Sequence, residues 1–377
     1  LIVRVERTEF LRRFKMVEKA INENKAKIRQ ILACVYLEAK NNELFFCATN
    51  LELTIMTSMK CETISEGKIT FHHSLIEEYI KELGDNEIIL NAEGQSLMIE
   101  SSDSASEFEL MDPEEFPKFP KENKGDMEFD GCVKISSMAL LNALEKVKFA
   151  ASNSLDNLAI NCIRMEIENN RMNLVATDSY RLVYLAEDVE AEKEFRLSLP
   201  LNSADALTKL LRTKEEKEVT IYFEDNQIYV TIDDIFVMSR VIDLAFPNYK
   251  MILSSGNYNK RLEISKGEFE KILKRVLIFV KNNSESKFGA TFNLEEDVLT
   301  INGRGEIGKI VESTEVDYEG DEIKISLNVK FLLDFMQTLS PETMVEVNLN
   351  SSNSSIKMTD AENENYLYIV MPMALKD

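Results

Sequence analysis

The chain has 377 residues, 44% hydrophobic and 29% charged, with seven prolines and twelve glycines; at roughly 150 residues per domain it can bury two or three cores and is neither collagen-like nor of low complexity. Lys and Arg number 44 against 66 Asp and Glu, a formal charge of −22, so any nucleic-acid contact has to come from a segregated basic face. No apolar run approaches the roughly 18 to 20 residues of a membrane span, the charged start LIVRVERTEFLRRF lacks an apolar signal core, and Cys34, Cys47, Cys61, Cys132 and Cys162 form no C-x-x-C pair, which reads as reduced thiols of a cytoplasmic protein.

Along the chain, three segments open alike: VERTEFLRRFKMVEKAI from Val5, KISSMALLNALEKVKFA from Lys134 and EISKGEFEKILKRVLIF from Glu263. In each, a polar stretch leads into one apolar stripe at helical spacing: Phe10, Phe14 and Val17; Leu140, Leu144 and Val147; Phe269, Leu273 and Val276. A second helix follows in step, HHSLIEEYIKEL, NSADALTKLL and VKFLLDFMQTL, with Tyr79, Leu207 and Phe335, then Leu83, Leu211 and Leu339, in matching places. After each comes a hairpin pattern, EIILNAEGQSLMIES, EVTIYFEDNQIYVTI and MVEVNLNSSNSSIKMT, and then a third strand, FELM, FVMSRVI and YLYIVMP. The period is about 130 residues, so the chain reads as three α+β units of one topology. PEEFPKFPKENKGD and SSGNYNK read as linkers, which puts boundaries near 125 and 256 and domains at 1–125, 126–256 and 257–377.

Catalytic motifs are few, and each fails on its own terms. Gly303-Arg304-Gly305-Glu306-Ile307-Gly308 matches G-x-G-x-x-G, but the following KIVESTEV alternates as a strand where a phosphate cradle needs a helix N-terminus, so the segment reads as a hairpin turn. His72 and His73 are adjacent and should point in different directions, with surface or capping roles and no metal site. Carboxylate clusters such as Glu295, Glu296 and Asp297, or Glu77 and Glu78, arise from composition alone in so acidic a chain. No nucleophile, base and cofactor can be named together, so no cofactor is expected.

Charge placement says more. Glu9 to Arg29 carries seven cations (Arg12, Arg13, Lys15, Lys19, Lys25, Lys27 and Arg29) against three anions; Lys266 to Lys281 carries five against two; and the middle copy has Lys146 and Lys148 against Glu145. A solvated face explains any one such helix, whereas recurrence at the same element points toward phosphates. With no aromatic interleaving, the contacts should be independent of sequence.

Three motifs then carry a resemblance over essentially the whole chain. ATDSYRL (176–182) resembles A-T-D-G-H-R-L, AFPNYKMIL (245–253) resembles F-P-D-Y-R-R-V-L, and YIVMPMAL (368–375) resembles Y-V-V-M-P-M-R-L, all of the bacterial DNA polymerase III β subunit family, the sliding clamps. The resemblance implies three clamp domains per chain and a head-to-tail homodimer, a six-domain ring with helices lining a central channel and sheets outside. It implies a processivity factor in DNA replication, not an enzyme, that encircles duplex DNA. It also implies binding of the polymerase III catalytic subunit, the clamp loader, and other polymerases and repair proteins bearing a clamp-binding peptide.

The resemblance turns the basic helices, and a loop near Arg29, toward DNA, so the DNA-facing candidates are the cations found there: Arg12, Lys15, Lys19, Lys25, Lys27, Arg29, Lys146, Lys148, Lys271, Lys274 and Arg275. The dimer interface sets an edge strand with Phe108 and Leu110 against Ile278 and Phe279. The peptide pocket takes Ile160, Thr177, Ser179, Tyr180, Arg181, Leu182, Pro247, Met251 and Ile252, with Phe288, Asn328, Phe331, Ser355, Ile369, Val370, Met371, Pro372 and Met373 from the third unit. Apolar side chains and methionines suit an adaptable slot for short peptides. Ser179-Tyr180 replaces the family's Gly-His, Met251 and Ala374 stand where Arg is usual, and Lys376-Asp377 is an addition. Two other readings compete: an acidic peptide-binding scaffold that encircles nothing, and a nucleotide-dependent enzyme resting on the rejected glycine match.

Overall fold

The computed structural model describes residues 1–119, 131–213, 215–284 and 286–374. The three opening stripes are helices: α1 (Arg7–Glu18), α4 (Ser137–Lys148) and α7 (Lys266–Val280). Each stripe residue is nearly or wholly inaccessible, from Phe10, Phe14 and Val17 to Phe269, Leu273 and Val276. Glu6 opens α1 by accepting the Thr8 and Glu9 amides at 2.9 and 2.5 Å, and Ser265 opens α7 by accepting the Glu268 amide. The second set forms α3 (His73–Glu82), α5 (Leu201–Leu211) and α8 (Val329–Met336). Two short helices, α2 (Glu23–Ala26) and α6 (Tyr249–Ser254), complete the α-helices among the described residues. Tyr79 departs from its counterparts: Leu207 and Phe335 are buried, whereas Tyr79 is half-buried and bonds Ser104 Oγ at 2.9 Å.

The expected hairpins and third strands form, and a second set of strands lies between the two helices of every repeat. Turns Asn41-Asn42, Asn169-Asn170 and Asp225-Asn226 all carry φ between 49° and 59° at both residues, the paired left-handed conformation of tight hairpins. Glu296, from the carboxylate cluster, is likewise a turn residue with φ 51°, joining strands Gly289–Glu295 and Val298–Arg304.

The compact units do not follow the 130-residue repeat. One comprises Leu1–Leu140, Glu190–Lys193 and Asp205–Val241; the other Leu141–Val189, Glu194–Ala204 and Ile242–Asp377. The first contains a 14-stranded sheet in which Ile235–Arg240 of the middle repeat pairs with Leu53–Lys60 of the first, with Val237 opposite Ile55. The second contains a nine-stranded sheet in which Arg181–Asp188 pairs with Asn363–Val370, and a four-stranded sheet from the third repeat. The middle repeat thus divides its strands between its neighbours, each joint closing a sheet edge that would otherwise stand open.

Three expectations need correction. The histidine rings do not diverge: they stack with centroids 5.2 Å apart. His72 accepts the Ser74 amide as the cap of α3, while buried His73 lies 3.1 Å from Glu18 and 2.9 Å from Glu23, because the chain passes from strand to helix between them. The proline-rich segment is not all linker, since Phe116 and Phe119 pack on Tyr36 at 5.4 and 5.3 Å; the boundary at 125/126 lies outside the described residues. Arg13, counted with the basic face, is buried and bonded to Glu9, Thr57 and Asp234.

The glycine segment is a turn, with the Gly305 amide donating to Gly308 O at 2.8 Å. A Cβ on Gly305 would sit 2.4 Å from the Phe279 carbonyl, so the glycine serves close approach to the end of α7. The cysteines are free, and burial pushes Cys34 up to about 12 and Cys162 to about 11. No helix of the described residues is long and apolar enough to cross a membrane.

Candidate peptide pocket and basic helix faces

The basic helices are more neutralised than their sequences suggest. Arg12 makes two bonds to Glu9 at 2.7 and 2.6 Å, Lys25 pairs with Glu52 at 2.7 Å, Lys274 with Glu270 at 2.5 Å, and Arg275 grips Glu312 at 2.7 and 2.6 Å. Lys15 is 3.7 Å from Glu77, and the Lys19 ammonium donates to the Lys15 carbonyl. Burial lowers the Lys19 pKa, against the opposing pull of Glu18. Lys146 lies 5.1 Å over the Tyr366 ring, and Lys148 is half-buried. Among the candidate DNA-facing residues, Lys27, Arg29 and Lys271 are exposed without an ion pair. Between the first two, Ile28 is 89% exposed at a tip fixed by Lys27 and Arg29 amides donating to the Glu23 and Lys25 carbonyls.

Of the interface candidates, Ile278 is exposed and Phe279 half-buried in the last turn of α7. Beside them, Lys309–Glu315 forms one edge of the four-stranded sheet, with Val311 exposed and Ile307 fully exposed at its turn. The strand carrying Phe108 and Leu110 (Ala105–Met111) is an edge over only part of its length. Leu110 pairs with Phe71 and Met111 with Thr70, so only the stretch through Phe108 lacks a second neighbour, and the Phe108 ring packs 5.6 Å from Tyr79.

The peptide-pocket residues all fall in the second compact unit. They are built around the turn between strands Arg171–Thr177 and Arg181–Asp188. Thr177 Oγ1 donates to the Arg181 carbonyl at 2.6 Å and accepts the Ser179 amide at 3.1 Å; Asp178 accepts the Tyr180 and Arg181 amides at 3.0 and 3.1 Å. These bonds hold Ser179 at φ 78°, a conformation costly for a residue with a Cβ. They also project Tyr180, which is 66% exposed. The Met371 amide donates to the Tyr180 carbonyl at 2.9 Å, Leu182 pairs with Ile369, and Arg181 pairs with Val370.

A buried cluster of Val175, Leu182, Tyr249 and Ile369 forms the floor. It anchors α6, because Tyr249 reaches inward to donate to Glu166 at 2.8 Å while Lys250 grips the same carboxylate at 3.1 Å. Burial would raise the Glu166 pKa, but the Tyr249, Lys250 and Arg164 bonds outweigh it and leave it lowered. The following turn of α6 presents Met251 and Ile252, 66% and 38% exposed, after exposed Pro247. Asn328 caps α8 by accepting the Phe331 amide at 3.1 Å, and Phe288, at φ 66°, accepts the Val329 amide at 2.8 Å. Ser355 precedes Ile356, which pairs with Val370, and the Met373 amide, after half-buried Pro372, donates to Ser326. Ile160 is buried in the turn Leu158–Ile160, and none of these bonds involves it.

Arg181 is not a free cation for a ligand. Its side chain is 9% exposed, and its three nitrogens donate to Asp178 at 2.9 Å, to Asp334 of α8 at 2.7 Å and to the Phe149 carbonyl at 2.8 Å. The guanidinium lies 4.2 Å over the Phe331 ring. Burial alone would lower its pKa, but the Tyr368, Asp334 and Asp178 oxygens outweigh this and raise it. Phe149, Asp178 and Asp334 are all absent from the expected set, although Asp178 stands inside the motif ATDSYRL, where the sequence offers a signal for it. The resulting rim of Tyr180, Met251, Ile252 and Met371 is apolar, and the neighbouring Lys250 is engaged by Glu166 and Glu168.

Residues 1–120 match the N-terminal domain of the DNA polymerase III beta subunit, 134–248 its central domain and 252–374 its C-terminal domain. A "Beta sliding clamp" of Chlamydia pneumoniae is 26% identical over 99% of both chains. The crystal structure of the DNA polymerase III beta subunit from Thermotoga maritima superimposes with a TM-score of 0.90 at 28% identity, covering 100% of both chains. A Pseudomonas aeruginosa sliding clamp bound to griselimycin has the same fold, with a TM-score of 0.90 at 23% identity and 99% coverage of both chains.

Proposed function

The chain belongs to the DNA polymerase III beta subunit family and is a processivity sliding clamp; from that premise we propose that it works as a head-to-tail homodimer, a closed six-domain ring with helices toward a central channel and sheets outside. The domains run 1–125, 126–256 and 257–377. A head-to-tail contact that closes on itself leaves no end for further growth. Two strand edges support this closure: the stretch through Phe108, and Lys309–Glu315 beside Ile278 and Phe279. In the ring, Phe108 and Leu110 meet Ile278 and Phe279 of the partner subunit.

Duplex DNA passes through the channel without sequence readout, held near the basic faces of α1, α4 and α7 and the tip at Lys27 and Arg29. Partners bind the apolar rim by short peptides: the polymerase III catalytic subunit, the clamp loader, and other polymerases and repair proteins. Such peptides bury less than a standard interface, so each binds at about micromolar strength and can exchange. The protein tethers and performs no catalysis, needs no cofactor, and acts in the cytoplasm. The observation that carries this reading is the match of three clamp domains in order along one chain.

The test is retention on nicked circular DNA after loading by the cognate clamp loader with ATP, in high salt, before and after the circle is cut. A ring stays on circles and runs off cut ends. Release that tracks salt and ignores the cut would return the scaffold reading, since electrostatic binding falls steeply with salt whatever the topology.

A further inference from the structure

The pocket's rim residues are held in place by a group that offers nothing to a ligand. Arg181 sits between Tyr180, which is at the surface, and Leu182, which is in the floor. Its side chain turns inward and joins three chain segments: the turn at Asp178, helix α8 at Asp334, and the residue after α4, Phe149. Asp334 also accepts Lys330 at 2.9 and 3.1 Å, so its carboxylate is engaged on both sides. Around the guanidinium, Phe149 lies 5.5 Å from Tyr368, Tyr368 stacks on Phe335 at 4.9 Å, and the Tyr368 hydroxyl donates to the Phe331 carbonyl at 3.1 Å. The arrangement is rigid because a buried cation with one partner removed is left uncompensated.

From this geometry we infer that Asp334, through Arg181, is a positioning residue for partner-peptide binding: it fixes the turn that sets Tyr180 and, through the Tyr180 carbonyl, Met371. Asp334 lies on α8 behind the guanidinium and reaches the rim only through Arg181. Without it, the Arg181 fork keeps Asp178 and the Phe149 carbonyl but loses its tie to helix α8, while the turn keeps its bonds to Thr177, Asp178 and Met371. With the fork anchored at one point fewer, the turn that carries Ser179 shifts against α8 and moves Tyr180 on the rim. A planar fork is required here, so Lys at 181 keeps the charge but loses the geometry.

The inference rests on the peptide-pocket reading, and the experiment separates the two. A fluorescently labelled peptide from the C-terminus of the cognate polymerase catalytic subunit is titrated by anisotropy against wild type, Asp334→Ala, Asp334→Asn, Tyr180→Ala and the double variant Tyr180→Ala with Asp334→Ala. Asp334→Ala should weaken binding about tenfold, with Asp334→Asn recovering part of the loss. In the Tyr180→Ala background, removing Asp334 should cost only the smaller part that acts through Met371, because the part that acts through the Tyr180 ring is already gone. Loss of general stability would lower affinity equally in both backgrounds, so full multiplication of the two losses overturns the inference, as does an Asp334→Ala variant that binds like wild type. Should Asp334→Ala not fold, Arg181→Lys replaces it in the same cycle with the same two outcomes. If wild type itself does not bind the peptide, it is the pocket reading that fails.

Discussion

Among the candidate DNA-facing residues, Lys27, Arg29 and Lys271 are the exposed cations without an ion pair, and the salt dependence of DNA binding should report them more strongly than the rest of that set. Binding that neutralises phosphates releases counterions, so the logarithm of the affinity falls with the logarithm of salt by about 0.9 per contact. In a two-subunit ring the three residues make six positions, and replacing all with Ala should flatten that slope by about 5 if each meets one phosphate. Arg12 and Arg275 are already bonded bidentately to Glu9 and Glu312. For them to meet DNA, a carboxylate has to be peeled away, so Arg12→Ala with Arg275→Ala should change the slope by about 1 or less. The assay is equilibrium anisotropy of a labelled linear duplex, onto which a ring can thread, between 50 and 200 mM salt, an interval in which about six contacts shift affinity roughly a thousandfold. An unchanged slope in the triple variant would refute its placement on DNA. An equal change in the Arg12 and Arg275 variant would refute the argument that internal ion pairs silence those positions.

Three further outcomes follow from the packing. Tyr366 is fully buried, and its hydroxyl donates to the Lys146 carbonyl at 2.8 Å, closing the end of α4. Tyr366→Phe leaves that carbonyl unmet and should cost about 1–3 kcal/mol, read by calorimetry as a fall of roughly 2–4 °C for each kcal/mol; no shift would mean the carbonyl is solvated. His73 should make the first unit's stability depend on pH: hydrogen bonding to Glu18 raises its pKa, against desolvation, with Glu23 assisting; the stacked His72 is lowered by its own burial and by His73. Lys19 and Glu77 also face the Glu18 carboxylate in this cluster, and Lys15 lies 3.7 Å from Glu77. A raised folded pKa gives stability that is full below the ordinary imidazole value and lost as pH climbs through the folded value; His73→Gln should therefore differ most from wild type near pH 6 and least near pH 9 in chemical denaturation, and a gap that widens with pH would sink the assignment. Gly305→Ala places a Cβ 2.4 Å from the Phe279 carbonyl, which forces the end of α7 to move at about 1–3 kcal/mol. Dimer dissociation measured by sedimentation should rise, and an unaltered dimer would separate this turn from the interface.

Much of the fold is legible because its signals are local and repeated. Phe10, Leu140 and Phe269 begin equivalent stripes, and three copies of one pattern outweigh the ambiguity of any single helix. The strands between the helices of the first two repeats escape the same reading. Their turns are Asn-Asn pairs with no glycine, as at Asn41-Asn42 and Asn169-Asn170, and a run such as CVYLEAK, buried at nearly every position, lacks the alternation that marks a half-exposed strand. The division of the middle repeat is invisible for a deeper reason. Nothing in FVMSRVI or RLVYLAED states which distant strand it will join; Val237 opposite Ile55 and Leu182 opposite Ile369 are choices made by shape and edge pairing.

The site shows the same limit in sharper form. Motif resemblance delivers Tyr180, Arg181, Met251 and Met371, but it assigns every member of a motif the same standing, and the structure does not. Tyr180 and Met251 are two-thirds exposed, Leu182 and Ile369 are floor, and Arg181 faces inward with its nitrogens occupied. Asp334, 153 residues from Arg181 in the chain, carries no signal of its own in VKFLLDFM, where an aspartate four places after Lys330 reads as an ordinary helix pair. Its importance lies in which of its two cationic neighbours is buried, and burial belongs to the fold. The consequence for peptide choice is specific. With Arg181 withdrawn, Met251 and Ala374 in place of arginines, and Lys250 held by Glu166 and Glu168, this rim should discriminate partners by apolar fit. Substituting an acidic residue for serine in the bound peptide should therefore gain little affinity, and a strong, salt-sensitive gain would show that an arginine or lysine reaches the ligand after all.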